Sequence, residues 1–490
     1  MDPIAVAAPS ALGAHAAELV IRQGGGSVDA AVAAAVAAMV SEPGIVAPGA
    51  GGFVTVWAEG EAPCTYDGYM AVPGLGGVNP DPRESTASMA YGGGVKTIVG
   101  PASIAVPGIW AALGEVHAEH GRLPWAAVLA PAIQMAADGT PLGMTAAHYF
   151  EFSLEPIFDL DPHGGRTLRT ATGQRLRAGD LVRVPGLAES LRSIADGGAA
   201  EFYTGGLGRA IVDDLRSRGS HLSMADFSEY RAERRPPLEF DHDGWTFATN
   251  PSPAVGGAAL TALVTLAAGG DTAALIAAQR HVYEWRRSGA DTAPDRAAAV
   301  ARMLAELPGD PIRSPSTAHV SAAGGGTACA ISLSAGYGSG VIPTGTGLWM
   351  NNGLGELELV GDRQGLTPGT RLNSNMAPTI GRHRDGRLLA IGSPGADRIT
   401  SAIAQVLLRM SEGLPPEEAL AAPRVHMDVG VASTVACEPG IDLPPSIDMP
   451  VRRFDGLHMY FGGVGVAMQM PDRTSIAAAD PRRNGATVVY

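Results

Sequence analysis

The stretch Ser316-Thr317-Ala318-His319-Val320-Ser321 decides how this chain is read. It is followed by the glycines Gly324–Gly326 and the run Thr327-Ala328-Cys329-Ala330-Ile331-Ser332-Leu333-Ser334. From 318 to 334 small, apolar and polar residues alternate with period two, the pattern of a strand. Just upstream, residues 309–318 (GDPIRSPSTA) are polar, contain proline and lack periodicity, as in an exposed or cleavable connector. A threonine therefore stands at the head of a strand, two-thirds of the way along, behind a segment open to cutting.

A threonine hydroxyl is a poor nucleophile near neutral pH and needs a base. As a new N-terminus Thr317 would carry its own, an α-amine with a pKa of about 7.7–8.0. Reaching that state requires its hydroxyl to attack the Ser316 carbonyl, shift the acyl group from nitrogen to oxygen, and let water release it. The products would be residues 1–316 and 317–490. Taken alone, Thr317 is equally a β-branched residue opening an ordinary strand.

The surrounding sequence describes a large α/β body. Ser10–Gln23 reads as a helix, and Ser27 can cap a second one running to about Met39, with Asp29 near its positive end. The second helix is too uniformly apolar for a surface and is expected between layers. Gly49–Trp57 reads as a turn entering a strand, residues 101–108 as another short strand, and Ile109–His120 as a helix. Residues 120–230 are mainly helical. Asn250–Gly257 is a turn leading into a helix from Ala258, and a helical block spans roughly 273–307. After the connector the texture turns to strands, at 318–334 and 459–490. Two sheets covered by helices accommodate this order without a linker or a repeat.

The bulk numbers agree. With 490 residues, 46% hydrophobic and 17% charged, the chain can bury a large core. A formal charge of -14 and no footprint-sized basic block argue against nucleic acid. Cys64, Cys329 and Cys437 form no CxxC pair, which excludes a disulfide-dense scaffold. The opening residues lack the pattern of a signal peptide, and the apolar run 30–40 is too short for a membrane span. A soluble, cytoplasmic protein that binds no membrane is expected.

Two further segments carry chemistry. Gly392-Ser-Pro-Gly-Ala-Asp-Arg-Ile399 is a glycine-rich turn before a helix from Thr400, where the backbone N–H groups of Gly395 and Ala396 could stabilise an oxyanion. Asn373, Ser374 and Asn375, in the polar loop Arg371–Thr379, suit a substrate carbonyl or carboxylate. Other chemistries lack their patterns. There is no HExxH, no GxSxG and no GxxxxGK[ST], so neither a metal nor a cofactor is expected. Asp241-His242-Asp243 is assigned to a surface turn.

Together these phrases resemble the gamma-glutamyltranspeptidase family of N-terminal-nucleophile hydrolases over nearly the whole chain. The similarity runs through Gly24–Val32, Gly49–Phe53, Ile104–Gly108, Leu129–Ala132, Asp226–Tyr230 and Pro253–Gly257. It continues through Thr317-Ala318-His319, Gly338-Ser339-Gly340, Asn351-Asn352 and Asp480–Gly485. The resemblance implies an α+β fold, a four-layer αββα sandwich, in which 1–316 and 317–490 are two segments of one domain. It makes Thr317 the processing residue and nucleophile. Ser334 takes the place of a second threonine that orients the first hydroxyl, and Gly395 and Ala396 supply the oxyanion hole.

The departures concern the substrate. In glutamyl transferases an arginine in a phrase D-x-R-E-x-A-P clamps the glutamate α-carboxylate. The matching segment here, Tyr66–Pro73, is read with Gly68 at the arginine position. Gly336 stands where an asparagine is usual, and Gly353 and Glu356 replace a glutamine and an aspartate. Tyr69 and Tyr337 are assigned to a changed pocket. The expectation is an autoprocessed threonine hydrolase cleaving a non-glutamyl acyl or amide substrate. The alternatives are a hydrolase breaking a C–C bond beside an α-keto acid, genuine glutamyl transfer, and an inactive relative. The partners implied are a small-molecule substrate and the association of the two fragments, and a dimer of the processed unit is compatible with them.

Overall fold

The computed structural model describes residues 2–90, 94–286, 298–300, 302, 317–361, 363–429 and 433–490. Residues 309–316 of the connector, Ser316 among them, and residues 287–297, 301 and 303–307 of the helical block lie outside them. The strands of the two main sheets are β1 (Ala5–Ala8), β2 (Gly51–Trp57), β3 (Cys64–Gly68), β4 (Glu233–Arg235), β5 (Leu238–His242) and β6 (Trp245–Thr249). They continue with β7 (Ala318–Gly324), β8 (Thr327–Ser334), β9 (Thr379–His383), β10 (Leu388–Gly392), β11 (Gly465–Gln469), β12 (Ser475–Ala479) and β13 (Ala486–Val489). The first sheet has seven strands in the order β13-β1-β7-β8-β2-β3-β4, and the second has six, in the order β12-β11-β10-β9-β6-β5. Every pairing in both is antiparallel.

Period-two alternation assigns each face of the central hairpin. Ala318, Val320 and Ala322 of β7, with Cys329, Ile331 and Leu333 of β8, join the core under the helices α1 (Ala11–Arg22) and α2 (Ser27–Ser41). The alternate residues face the second sheet: Ala328 and Ala330 meet Ala248, Ile380 and Ala390, and Ala323 meets Ala467. The outer face of the second sheet carries α5 (Gly256–Ala267), α6 (Thr272–Trp285) and α7 (Arg398–Ser411), numbered after α3 (Ile109–His120) and α4 (Trp125–Asp138). This is the four-layer αββα sandwich, and small side chains at its centre let the two sheets approach closely.

Position 317 does not divide the sheets. β7 and β8, which follow it, lie between β1 and β2, which precede it by hundreds of residues. In the second sheet β9 likewise pairs with β6.

Some local expectations change. The cap of α2 is Gly26, not Ser27. The Asp29 carboxylate accepts the Gly26 N–H at 2.7 Å and the Arg122 N–H at 2.9 Å. Ser27 instead donates to the Gly324 carbonyl at 2.9 Å, tying the start of α2 to the β7–β8 turn. Residues 101–108 are not a strand: Pro101–Ser103 forms a turn of 3₁₀ helix, and beyond it Val106 makes an isolated bridge to Ala71. The prolines at both ends explain this, since each removes a ladder donor. Asp241-His242-Asp243 is split, with His242 ending β5 and bonded to Ser411, and Asp243 entering the turn.

All fifteen residues of α2 are buried, so its alanines are a spatial requirement as well as good helix formers. Ala34→Leu should lower the urea midpoint through overpacking, by about 1–3 kcal/mol, with an unchanged denaturant slope.

Candidate active site

Thr317 is buried at the entrance to β7. The hairpin register pairs His319 with Ser332 and Ala318 with Leu333, so one further step sets Ser334 across from Thr317. Ser334 is held at the strand end, where its hydroxyl accepts the Gly336 N–H at 3.0 Å. Both hydroxyl residues share the face directed at the second sheet.

His319, two residues on, fastens the sheets together. Its ring nitrogens bond Ser332 and Ser321 at 2.8 Å each, and Ser321 donates to the Gly465 carbonyl of β11 at 3.0 Å. Burial pushes its pKa down to about 3, so the imidazole is neutral. A Cβ at Gly392, the end of β10, would lie 2.3 Å from this ring. Only glycine allows the approach.

The turn after Gly392 is built by contacts to the segment 462–465. The Ser393 hydroxyl accepts the Gly463 N–H at 3.0 Å and donates to the Pro394 carbonyl at 2.6 Å. Gly395 has φ +133°, with a Cβ there only 2.9 Å from the Gly462 Cα. Ala396 is left-handed at φ +64°, a conformation costing a non-glycine residue about 1–2 kcal/mol. Among the described residues the Gly395 and Ala396 amides have no hydrogen-bond acceptor, and α7 starts directly after them.

Thr317, His319 and Pro394 open on one cleft, with water-accessible space of about 40 Å³; Ser334, Gly395 and Ala396 are not in its wall. Its wall includes Thr317, His319, Pro394, Val464, Glu42 and Arg483. The far side rests on a buried ionic cluster. Asp480 pairs with Arg424 at 2.6 Å and Arg482 at 3.1 Å, Arg482 also holds Glu438, and Asp480 accepts the Val464 N–H at 2.9 Å. Deleting one member would strand a buried charge, a loss of about 3–5 kcal/mol.

On the β8 side a second group assembles. Tyr69 is buried, stacked on Phe53 at 5.2 Å, and its phenol lies beside the Ser374 hydroxyl and the Glu356 carboxyl. Burial first, and then the charge of Glu358, raises the Glu356 pKa far above the carboxylate range. Its Oε1 has no hydrogen-bond partner among the described residues. Tyr337 donates to Glu358 at 2.7 Å and, through its backbone N–H, to Asn352 at 2.8 Å.

The position of Gly68 needs correction. Counting D-x-R-E-x-A-P from Asp67 to Pro73 puts Tyr69, not Gly68, at the arginine position. The packing agrees, because a Cβ at Gly68 would sit 2.6 Å from both the Gly108 carbonyl and Ala112. Gly68 admits α3. At Gly336 (φ +68°) a Cβ would meet Asn352 at 2.3 Å and Glu356 at 3.0 Å, and at Gly353 the Met70 sulfur at 2.7 Å. Both spaces are filled by this chain's own side chains. Ser374 joins the Tyr69 group. Asn375 accepts from the buried Arg286, and Asn373 accepts the Ser374 N–H at 2.7 Å. Glu42 and Arg483 are absent from the sequence-based candidates. The signal for Glu42 was a carboxyl directly after a wholly apolar helix, a costly place for a charge.

The family profile described as Gamma-glutamyltranspeptidase matches residues 13–304 and 278–490. The chain is 30% identical over 477 residues to the glutathione hydrolase proenzyme of Pseudomonas aeruginosa, covering 87% of this chain and 83% of that protein. It is 28% identical over 470 residues to the Acylase ACY 1 proenzyme of Pseudomonas sp. (strain V22), covering 86% and 82%. The crystal structure of cephalosporin acylase from Bacillus halodurans matches with a TM-score of 0.75 at 25% identity, over 99% of this chain and 96% of that one.

The buried neutral His319 makes stability depend on acid. Its folded pKa of about 3 lies below the ordinary 6.5, so the unfolded chain binds the extra proton. Stability is lost as pH falls from about 6.5 towards 3, by about 2 kcal/mol between pH 7.5 and pH 5. Buried Glu42 and Glu358, with pKa values raised to about 8 and about 7, act in the opposite direction. The His319 share is therefore read as the difference between wild type and His319→Asn in how urea-unfolding stability changes between the two pH values.

Proposed function

The chain belongs to the gamma-glutamyltranspeptidase family of hydrolases and transferases, and on that premise we propose that it cleaves itself before Thr317 and hydrolyses a non-glutamyl acyl substrate through an acyl-enzyme on that residue. Freed by cleavage, the Thr317 α-amine takes the hydroxyl proton as Oγ attacks the substrate carbonyl. The amides of Gly395 and Ala396 receive the developing oxyanion, and Ser334 orients the nucleophile from across the hairpin. The proton passes to the leaving group, and water resolves the ester. The two fragments, 1–316 and 317–490, stay joined because their strands share both sheets.

The observation carrying the substrate reading is the Tyr69 group. At the position of a clamping arginine stands a buried phenol, facing a serine and an uncharged carboxyl. Among the described residues the Tyr69 group itself, Tyr69, Ser374 and Glu356, holds no cation for a glutamate α-carboxylate, and the neutral Glu356 offers its ammonium no counter-charge. Each lost charge-assisted contact is worth about 1.5–3 kcal/mol, so two amount to roughly 10²–10⁴-fold in binding. The acyl chemistry is untouched, since it rests on Thr317 and backbone amides. The acylases among the relatives support this division between retained mechanism and altered substrate.

A denaturing gel of fresh protein should show fragments of 316 and 174 residues. Thr317→Ala should remain a single chain and have no turnover; cleavage or turnover persisting in that variant would overturn the mechanism. Intact-mass trapping with glutamyl, glutaryl, oxamyl and α-keto donors should label the 174-residue fragment. Glutamyl compounds should react about 100-fold less efficiently than the best donor. A glutamyl compound emerging as the best donor would refute the substrate reading.

A further inference from the structure

The proposed self-cleavage poses a chemical problem that turnover does not. Before the bond breaks, the Thr317 nitrogen is an amide and can neither accept the hydroxyl proton nor leave unprotonated. The proton carrier for this first reaction must therefore be a group other than the Thr317 nitrogen, either a water or a side chain in reach of the bond.

Among the described residues the cleft that holds Thr317 is lined by four titratable or charged groups: His319, Asp480, Arg483 and Glu42. Both nitrogens of His319 are engaged by Ser332 and Ser321, between the sheets. Asp480 is bound by Arg424, Arg482 and the Val464 and Arg482 amides. Arg483 is a permanent cation with no proton to exchange near neutrality. Glu42 differs from all three. It is 6% exposed, it lines the cleft, and its carboxyl makes no hydrogen bond among the described residues. Its oxygens sit where a Cβ on Gly143 would come within 2.8–2.9 Å, so the glycine makes room for them.

We infer that Glu42 is the proton relay for self-cleavage at Thr317. The inference rests on the processing reaction proposed above. As the Oγ–C bond to the residue 316 carbonyl carbon forms, the uncharged carboxyl gives its proton to the Thr317 nitrogen and accepts the hydroxyl proton on its other oxygen. The C–N bond breaks, the carboxyl is restored, and no net charge is created. Water then adds to the ester carbon and returns a proton to Oγ, leaving a free amine on Thr317 and a carboxylate on residue 316. Once the amine exists, turnover no longer needs Glu42.

Burial holds the Glu42 pKa up to about 8, against the opposing charge of Arg483, so at neutral pH the carboxyl carries the proton that the relay requires. The protonated form is the active one. Cleavage should be independent of pH below about 8 and slow above it.

The test follows full-length chain from cell-free synthesis by timed intact-mass spectrometry across that pH range. Wild type should show the fall above pH 8. Glu42→Gln should cleave roughly 100-fold more slowly and lose the fall, while Glu42→Asp should recover part of the rate. Wild-type cleavage that rises through pH 8 would overturn the inference without reference to any variant. So would Glu42→Gln cleaving at the wild-type rate with the wild-type profile. In either case a Thr317→Ala chain that stays intact leaves the parent mechanism standing, whereas a Thr317→Ala chain that cleaves removes both.

Discussion

Where β7 crosses β10, the His319 ring lies against Gly392 so closely that a methyl group there would come within 2.3 Å. The contact sets the spacing of the two sheets at the one place where it matters for chemistry. Thr317 belongs to the first sheet, and the turn carrying Gly395 and Ala396 leaves the second. Their relative position therefore depends on how the sheets stack. A layer of alanines brings the sheets together, and the serine-held imidazole fixes them against each other. Keeping His319 neutral is part of that arrangement, since a charge there would lack a counter-ion.

The same closeness explains the backbone of the turn through Gly395 and Ala396. Gly395 packs on Gly462, and Ser393 bonds the Gly463 amide, which leaves the chain little choice but the left-handed step at Ala396. Strain of this kind persists where surrounding contacts over-determine the conformation, and here it coincides with two amides that have no acceptor. The ionic cluster of Arg424, Asp480, Arg482 and Glu438 supports the opposite wall through Val464. The cleft is thus braced by polar contacts on both sides, as the proposed role of Thr317 would require.

The two flanks of Thr317 divide the chemistry. Towards β8 lie Tyr69, Ser374, Glu356 and Tyr337, a group dominated by neutral hydrogen-bonding side chains. Towards β1 lie Glu42 and Arg483. In the reading proposed above, one flank bears on which acyl group enters and the other on how protons move when the bond before Thr317 breaks.

Much of this was legible in the sequence. The period-two run after Thr317 predicted the central hairpin, the uniformly apolar run after Ser27 predicted a buried helix, and the glycine-rich phrase predicted the turn before α7. These signals are local: each depends on residues a few positions apart. The sequence also contained the departure from the arginine-bearing phrase, although counting through Tyr66–Pro73 was needed to place it on Tyr69. What it could not supply was any contact between distant segments. Nothing near residue 42 indicates that its carboxyl shares a cleft with residue 317, or that Gly68 is a glycine because α3 needs its space. Ser334 opposite Thr317 required the register, and the neutral state of Glu356 required its burial. The sequence by itself determined most of the main elements and which residue is the candidate nucleophile, because backbone periodicity and side-chain chemistry are local properties. Only the tertiary structure decided which groups surround that nucleophile and in what protonation state, because both depend on segments hundreds of residues apart excluding water from a common site.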